Sequence, residues 1–375
     1  MFAFRVGLVI GTRPEAIKMA PVAHALAARG VAPQIVLTGQ HPGLDPSEHG
    51  LERYAVLRLG QPGLPHPPDH AERVAESLVP AWSAAPLDMV MVQGDTSSAL
   101  GGARAAVAAG VPLAHVEAGL RTHDPSLPWP EESFRVEIDG LAQLLFAPTI
   151  GNAANLFAEK LPGEVHVTGN SGIDALLETR RRLRLRPREA SRAGTPLRLL
   201  VTCHRRESWG MGLAMAAAAL ARLAEEGSAR VEVVLHPNPR VTAMLFEHLG
   251  EARGVRLLPP LSHAAMIRAI AAADLVVSDS GGIQEEAPTL GTPLLVLREK
   301  TERPEAVACG NAIMVGTDPE RIVTEVRRLF RDRAALATMA RPSLAFGDGE
   351  AAPRIAEIAA AWIAAERHEA HRQRA

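Results

Sequence analysis

Cysteine is nearly absent. Cys203 and Cys309 are the two in 375 residues, too few and too far apart for a disulfide scaffold or a zinc ribbon, and they fit a reducing cytoplasm. No apolar run is long enough to cross a bilayer, and the N-terminal one ends at a turn after Ile10, so it reads as a first strand and not as a signal peptide. Neither sign of charge dominates. Forty Lys and Arg against 42 Asp and Glu leave a net charge of −2, which argues against nucleic acid or an anionic membrane as a bulk partner. One basic run, residues 180–188, has no aromatic residue within it and reads as a solvated helix face. Also missing are G-x-G-x-x-G, a Walker A lysine motif, G-x-S-x-G and any metal-ligand spacing, so nicotinamide, ATP, serine-hydrolase and metal chemistry lose ground.

What is present is a repeated strand, turn and helix. The length predicts two domains, and an apolar content of 47% is enough for two cores. Short β-branched runs predict strands at 6–10, 34–38, 89–92, 112–116, 144–147 and 165–168. A second series follows at 197–202, 231–235, 255–258, 275–277 and 293–297. Helices are expected between them, with an Ala-rich one over 351–366 that frays after about residue 367. The Arg- and Pro-rich stretch 173–196 reads as a linker. This alternation predicts an α/β protein of two doubly wound, Rossmann-like domains facing a cleft.

Polar residues gather where these strands should end, the edge at which open α/β sheets bind ligands. In residues 275–291 a buried strand leads through Ser278, Asp279 and Ser280 to Gly281, Gly282 and a helix with Glu286. Ser and Asp should accept the first helical N–H groups, glycines admit a close ligand backbone contact, and a helix N-terminus attracts phosphate. A nucleotide-diphosphate site and an ordinary glycine-rich turn explain this stretch about equally well. Arg13 and Lys18 follow the first strand, as cations for an anionic substrate or as surface charge. Asp95 is a helix cap or a working carboxylate, and Glu117 and Glu131 are a carboxylate pair suited to acid and base work. His204, Arg205 and Arg206 form a cationic group suited to a diphosphate. Cys203 reads as a small packed residue.

Taken together, G-T-R-P-E-A-I-K-M-A-P at 11–21, G-D-T at 94–96, H-V-E-A-G-L-R-T at 115–122 and P-E-E at 130–132 resemble the UDP-N-acetylglucosamine 2-epimerases, the bacterial non-hydrolysing type above all. So do H-R-R-E at 204–207, D-S-G-G-I-Q-E-E-A-P at 279–288 and T-E-R-P-E-A at 301–306, in family order over nearly the whole chain. The resemblance implies a GT-B-like fold. Residues 1–172 and 347–375 would form the first domain, with the C-terminal helix crossing back onto it, and 197–346 the UDP-binding one. It implies interconversion of UDP-N-acetylglucosamine and UDP-N-acetylmannosamine through 2-acetamidoglucal, no cofactor, a cytoplasmic homodimer, and UDP as the bound nucleotide. It further implies Asp95, Glu117, Glu131 and His204 as the catalytic set. Arg13, Ser280, Gly281 and Gly282 would contact UDP, Lys18 the sugar, Glu286 the ribose and Arg303 the substrate, while Leu261 and Met266 would pack the uracil.

Some features depart from the family. Its bacterial members often carry a second, allosteric site for UDP-N-acetylglucosamine, to which Gln40, His41 and His236 would correspond. Here Pro42 and Gly43 follow, and the loop over 61–70 does not fit the usual pattern, so substrate activation is expected to be weak or absent. Ser208 and Trp209 replace a more usual Asn-aromatic pair. The rival readings are a hydrolysing epimerase, an epimerase of a modified UDP-sugar and a GT-B glycosyltransferase. The last would not need Asp95, Glu117 and Glu131 together.

Overall fold

The structure, a computed structural model, describes residues 4–186, 192, 194–203, 211–236 and 238–374. It divides into two units, Met1–Ala175 with Gly347–Ala375, and Leu176–Phe346.

The N-terminal unit holds strands β1 (Phe4–Ile10), β2 (Val31–Leu37), β3 (Ala55–Arg58), β4 (Met89–Gln93), β5 (Leu113–Val116), β6 (Leu144–Ala147) and β7 (Glu164–Val167). They form one parallel sheet in the order β3-β2-β1-β4-β5-β6-β7, so the chain reverses direction between β1 and β4. Helices α1 (Arg13–Ala28), α2 (Pro67–Ala84), α3 (Ser97–Ala108), α4 (Glu131–Leu141) and α5 (Ile150–Glu159) follow in sequence, and α6 (Ser171–Arg182) begins in this unit and spans the boundary at Ala175 and Leu176. Because side chains alternate along a strand, Val6, Leu8 and Ile10 enter one core and Val9 the other. The first core is covered by α1, and the second by α2, α3 and α4. Helix α6 takes up residues 173–182 of the stretch expected as linker. Ile173 and Leu176 are buried in it, and its last turn carries Arg180, Arg181 and Arg182, where the helix dipole favours cations.

The C-terminal unit holds β8 (Leu197–Thr202), β9 (Ala229–Val234), β10 (Val255–Leu258), β11 (Leu275–Ser278), β12 (Leu294–Val296) and β13 (Ala312–Met314), parallel in the order β10-β9-β8-β11-β12-β13. Its helices are α7 (Met211–Glu225), α8 (Pro239–Leu249), α9 (His263–Ala272), α10 (Gly281–Leu290), α11 (Glu305–Ala308), α12 (Pro319–Arg331) and α13 (Arg333–Met339). Asp318 caps α12 through the N–H groups of Glu320 and Arg321.

The last helix, α14 (Ala351–Arg374), runs beyond the fraying point expected near residue 367 and belongs to the N-terminal unit. Ile355, Ala359 and Ile363, one helical turn apart, pack on the α1 side of the sheet. Asp174 accepts the N–H groups of Ala351 and Ala352 at 3.3 and 2.8 Å and so caps its start, and burial pushes this carboxyl up to about 6. Among the described residues no helix is long and apolar enough to cross a membrane.

Candidate functional site

In the N-terminal unit the exits of β1, β4 and β5, adjacent in the sheet, carry the polar residues. At the β1 exit Thr12 caps α1 in a capping box with Glu15. Glu15 Oε2 accepts the N–H groups of Gly11 at 2.9 Å and Thr12 at 2.6 Å, and Oε1 accepts the Thr96 hydroxyl at 2.6 Å. One buried carboxylate thus joins the exits of β1 and β4 at the point where the sheet changes direction. Burial pushes it up to about 6, against the lowering pull of these bonds.

Thr96, not Asp95, caps α3, through the N–H of Ala99 at 3.0 Å. Asp95 is therefore not spent as a cap. Its Oδ2 accepts from Arg135 Nε at 3.0 Å and also from Arg135 Nη2. Arg135 Nη1 reaches Glu132 Oε2 at 2.9 Å, and Glu132 Oε1 in turn accepts the N–H groups of Thr122 and His123. Glu131 stands half-buried at the first position of α4.

Glu117, at the exit of β5, is buried with a φ of 71°, a left-handed conformation that costs a non-glycine residue energy and marks a constrained site. Three side chains converge on its carboxylate: Lys18 Nζ at 2.5 Å, Asn170 Nδ2 at 3.3 Å and Gln93 Nε2. A Cβ on Gly94 would lie 3.5 Å from Glu117 Oε2, so the turn carrying Asp95 packs directly on this carboxylate. Lys18, read as a sugar contact, is directed at Glu117.

Arg13 and Gln40 do not join this group. Arg13 is exposed, 3.8 Å from Glu48, and Gln40 Oε1 is occupied by the hydroxyl and N–H of Ser98 at 2.6 and 3.2 Å. His41 is exposed, and local desolvation, with Arg13 adding to it, lowers its pKa. His236, at the exit of β9, accepts the N–H of Asn238 at Nδ1. Burial lowers its pKa while Asp279 pulls the other way. His204, Arg205, Arg206, Ser208 and Trp209 lie outside the described residues.

In the C-terminal unit the direction change falls between β8 and β11, and their register sets Thr202 beside Ser278. Their hydroxyls are 2.6 Å apart, and Ser278 Oγ also accepts the N–H of Ser280. Ser280 occupies the N-cap of α10, yet its side chain caps nothing, contrary to the sequence expectation. Its φ and ψ of −73° and 130° are extended, and the hydroxyl that the turn uses is that of Ser278. The two glycines differ. A Cβ on Gly281 would stand 2.8 Å from Arg303 Nη1, whereas one on Gly282 would meet nothing within 4 Å. Arg303, expected as a loop contact to substrate, is buried behind Gly281 and held by Glu285 at 2.6 Å and by Glu302. Glu286 Oε1 lies 3.2 Å from His263 Nε2, and Leu261 and Met266, half-buried, flank that histidine in the chain. Cys203 is buried, and burial together with Asp279 raises its thiol pKa far out of the reactive range.

Among the described residues, no group of three or more His, Cys, Asp and Glu is placed to hold a metal ion. Sequence reasoning missed Glu15, Gln93, Arg135 and Asn170. Of these Glu15 had a signal, the T-x-x-E spacing from Thr12.

Residues 24–360 match the family described as UDP-N-acetylglucosamine 2-epimerase. The chain is 39% identical to the UDP-N-acetylglucosamine 2-epimerase of Salmonella typhimurium strain LT2 over 94% of its own length and 97% of the relative's, and equally so to that of Escherichia coli K12. It superposes with a TM-score of 0.87 on the Neisseria meningitidis UDP-GlcNAc 2-epimerase bound to UDP-GlcNAc, at 34% identity, covering 94% of this chain and 99% of that one. The Methanocaldococcus jannaschii UDP-GlcNAc 2-epimerase in complex with UDP-GlcNAc and UDP gives 0.81 at 28% identity, with the same coverage. With matches that run nearly end to end in both sequence and fold, the chain belongs to the UDP-N-acetylglucosamine 2-epimerase family.

Proposed function

We propose that this protein interconverts UDP-N-acetylglucosamine and UDP-N-acetylmannosamine without hydrolysis. A base removes the C2 proton, the C1–O bond to UDP breaks and 2-acetamidoglucal forms. UDP then adds back at C1, and C2 takes a proton on its opposite face. Acid and base groups are needed on both sides of the sugar, and Asp95, Glu117 and Glu131 supply them in this reading. The observation that carries it is Glu117, a buried carboxylate in a constrained backbone, oriented by Lys18, Gln93 and Asn170 beside the turn that holds Asp95.

The departing diphosphate develops charge that N–H groups and cations stabilise. Ser280, Gly281 and Gly282, at the start of α10 with no side-chain cap, suit it, and Glu286 suits the ribose hydroxyls. Arg303 acts on the glycine turn from behind. Substrate activation through Gln40, His41 and His236 is weak in this reading, since Gln40 Oε1 is already engaged by Ser98. A cytoplasmic homodimer belongs to the same proposal. Light scattering measures the oligomeric state.

Proton NMR with UDP-N-acetylglucosamine in heavy water tests the reaction. Loss of the C2 proton signal with growth of UDP-N-acetylmannosamine is expected. Stoichiometric UDP and free N-acetylmannosamine would replace this reading with a hydrolysing one.

A further inference from the structure

We infer that His115 and Asp139 are positioning residues of this reaction, a buried hydrogen-bonded clamp that fixes the turns carrying Asp95 and Glu117 relative to each other. The inference rests on the epimerase reading. Both side chains are fully buried. His115 lies in β5 opposite Val92 of β4. Its Nδ1 is 2.6 Å from Asp139 Oδ1, and its Nε2 is 2.9 Å from the Gly94 carbonyl oxygen. The Gly94 N–H donates to Val116 O at 3.0 Å. Both backbone polar groups of Gly94 are thus held by β5, at a residue whose φ of 66° makes the turn into Asp95.

The other oxygen of Asp139 holds the second turn. Asp139 Oδ2 accepts the N–H of Gly119 at 3.2 Å and Arg121 Nη1 at 2.7 Å. Gly119, with a φ of 82°, closes the turn that Glu117 opens, and a Cβ there would stand 2.3 Å from Asn152 O. Arg121 is anchored in turn by two 2.7 Å bonds to Glu159 at the end of α5. Burial alone would raise the Asp139 pKa, but His115 and Arg121 outweigh it and lower it. The inner face of α4 is built for this. Glu132, Arg135 and Asp139, spaced three and four residues apart on one side of the helix, reach Thr122 and His123, Asp95, and His115 with Gly119 respectively.

Stability does not call for such a cluster, because well-packed apolar residues in place of a buried ion pair are often neutral or stabilising. What the ions add is direction. Two carboxylates from different strands must keep a fixed separation on a small sugar, and a displacement of about 1 Å can cost roughly 10²-fold in rate.

The test compares Asp139→Asn and His115→Gln with Asp274→Asn. Asp274 is a fully buried carboxylate paired with Arg198 in the C-terminal unit and serves as the control for lost stability. Well below the melting transition, Asp139→Asn should lose roughly 10²-fold in kcat with KM and UDP affinity within about threefold. Amide exchange should rise in residues 93–96 and 117–122. The double variant should fall little below the worse single one, as expected for residues acting as a unit. Asp274→Asn should lower Tm without moving kcat or that exchange. A folded Asp139→Asn with wild-type kcat, or with unchanged exchange in both turns, overturns the inference. If the wild type does not turn over UDP-N-acetylglucosamine, the epimerase reading fails, while the exchange measurement still decides whether the clamp exists.

Discussion

Lys18 Nζ stands 2.5 Å from Glu117 Oε1, and the two side chains are only 12% and 5% exposed. A buried ion pair is worth little against an apolar replacement of both partners, but removing one partner strands the other. Lys18→Met should therefore destabilise the N-terminal unit by about 3 kcal/mol. Urea unfolding measures this, and Lys18→Arg should recover part of it. UDP affinity should stay near wild type in both variants, because Ser280, Gly281, Gly282 and Glu286, the groups proposed for the diphosphate and ribose, lie in the other unit. A Lys18→Met protein of unchanged stability would mean that the pair is not formed in solution.

Glu117→Gln keeps the size of the side chain and removes its charge. Exchange of the C2 proton into heavy water should fall by at least roughly 10²-fold, the contribution of a lost acid or base. UDP should still bind. Glu132→Gln makes the contrast, since Glu132 carries backbone N–H groups and Arg135. Its loss should act through Arg135 and Asp95, with a smaller fall in exchange. Equal falls would remove the distinction between a group that touches substrate and one that supports another.

Much of this was legible in the sequence, and the gaps have physical causes. Buried parallel strands are continuous β-branched runs, so their exits, and with them Asp95, Glu117 and Ser280, stood out. The edge strand Ala55–Arg58 did not, because it is mostly exposed and carries no such run. The three-residue strand Ala312–Met314 is too short to show a period. The Arg-rich stretch suggested a linker, but Ile173 and Leu176 pull its first part into a packed helix. The donors on Glu117 were invisible for another reason. Asn170 lies 53 residues away, and only the sheet order brings β5 and β7 exits to one edge. His115 stood inside a recognisable motif, yet its partner Asp139 is an ordinary helix residue until α4 packs on β5.

Glu15 makes stability depend on pH. Its folded-state value of about 6 lies above the ordinary 4.5, so the folded chain binds this proton more tightly than the unfolded one. The contribution is fully present below 4.5 and is lost as pH rises through about 6, for a total of about 2 kcal/mol. Glu15→Gln keeps an acceptor for the Gly11 and Thr12 N–H groups and has no charge to titrate. The stability gap between wild type and Glu15→Gln should therefore shift by about 2 kcal/mol across that window, with the wild type relatively better in acid. Chemical denaturation at pH 4.5, 5.5 and 7 measures it. A gap that does not vary with pH would place Glu15 among ordinary, solvated carboxyls.

The neighbouring glycines of α10 separate packing from ligand contact. A methyl on Gly281 would press on Arg303, which Glu285 and Glu302 hold in place, so Gly281→Ala should cost about 1–3 kcal/mol by overpacking. A methyl on Gly282 points into open space within a helix, where alanine is the better residue, so Gly282→Ala should be neutral or stabilising by up to about 1 kcal/mol. If the diphosphate lies against this turn, the same methyl occupies the approach of its oxygens. Calorimetric titration with UDP should then show affinity reduced by about tenfold or more in a protein that is at least as stable as wild type. The opposed signs make the result specific, since lost binding in Gly282→Ala has no folding defect to explain it. Wild-type UDP affinity in Gly282→Ala would move the diphosphate away from the start of α10 and leave Gly281 with a packing role alone.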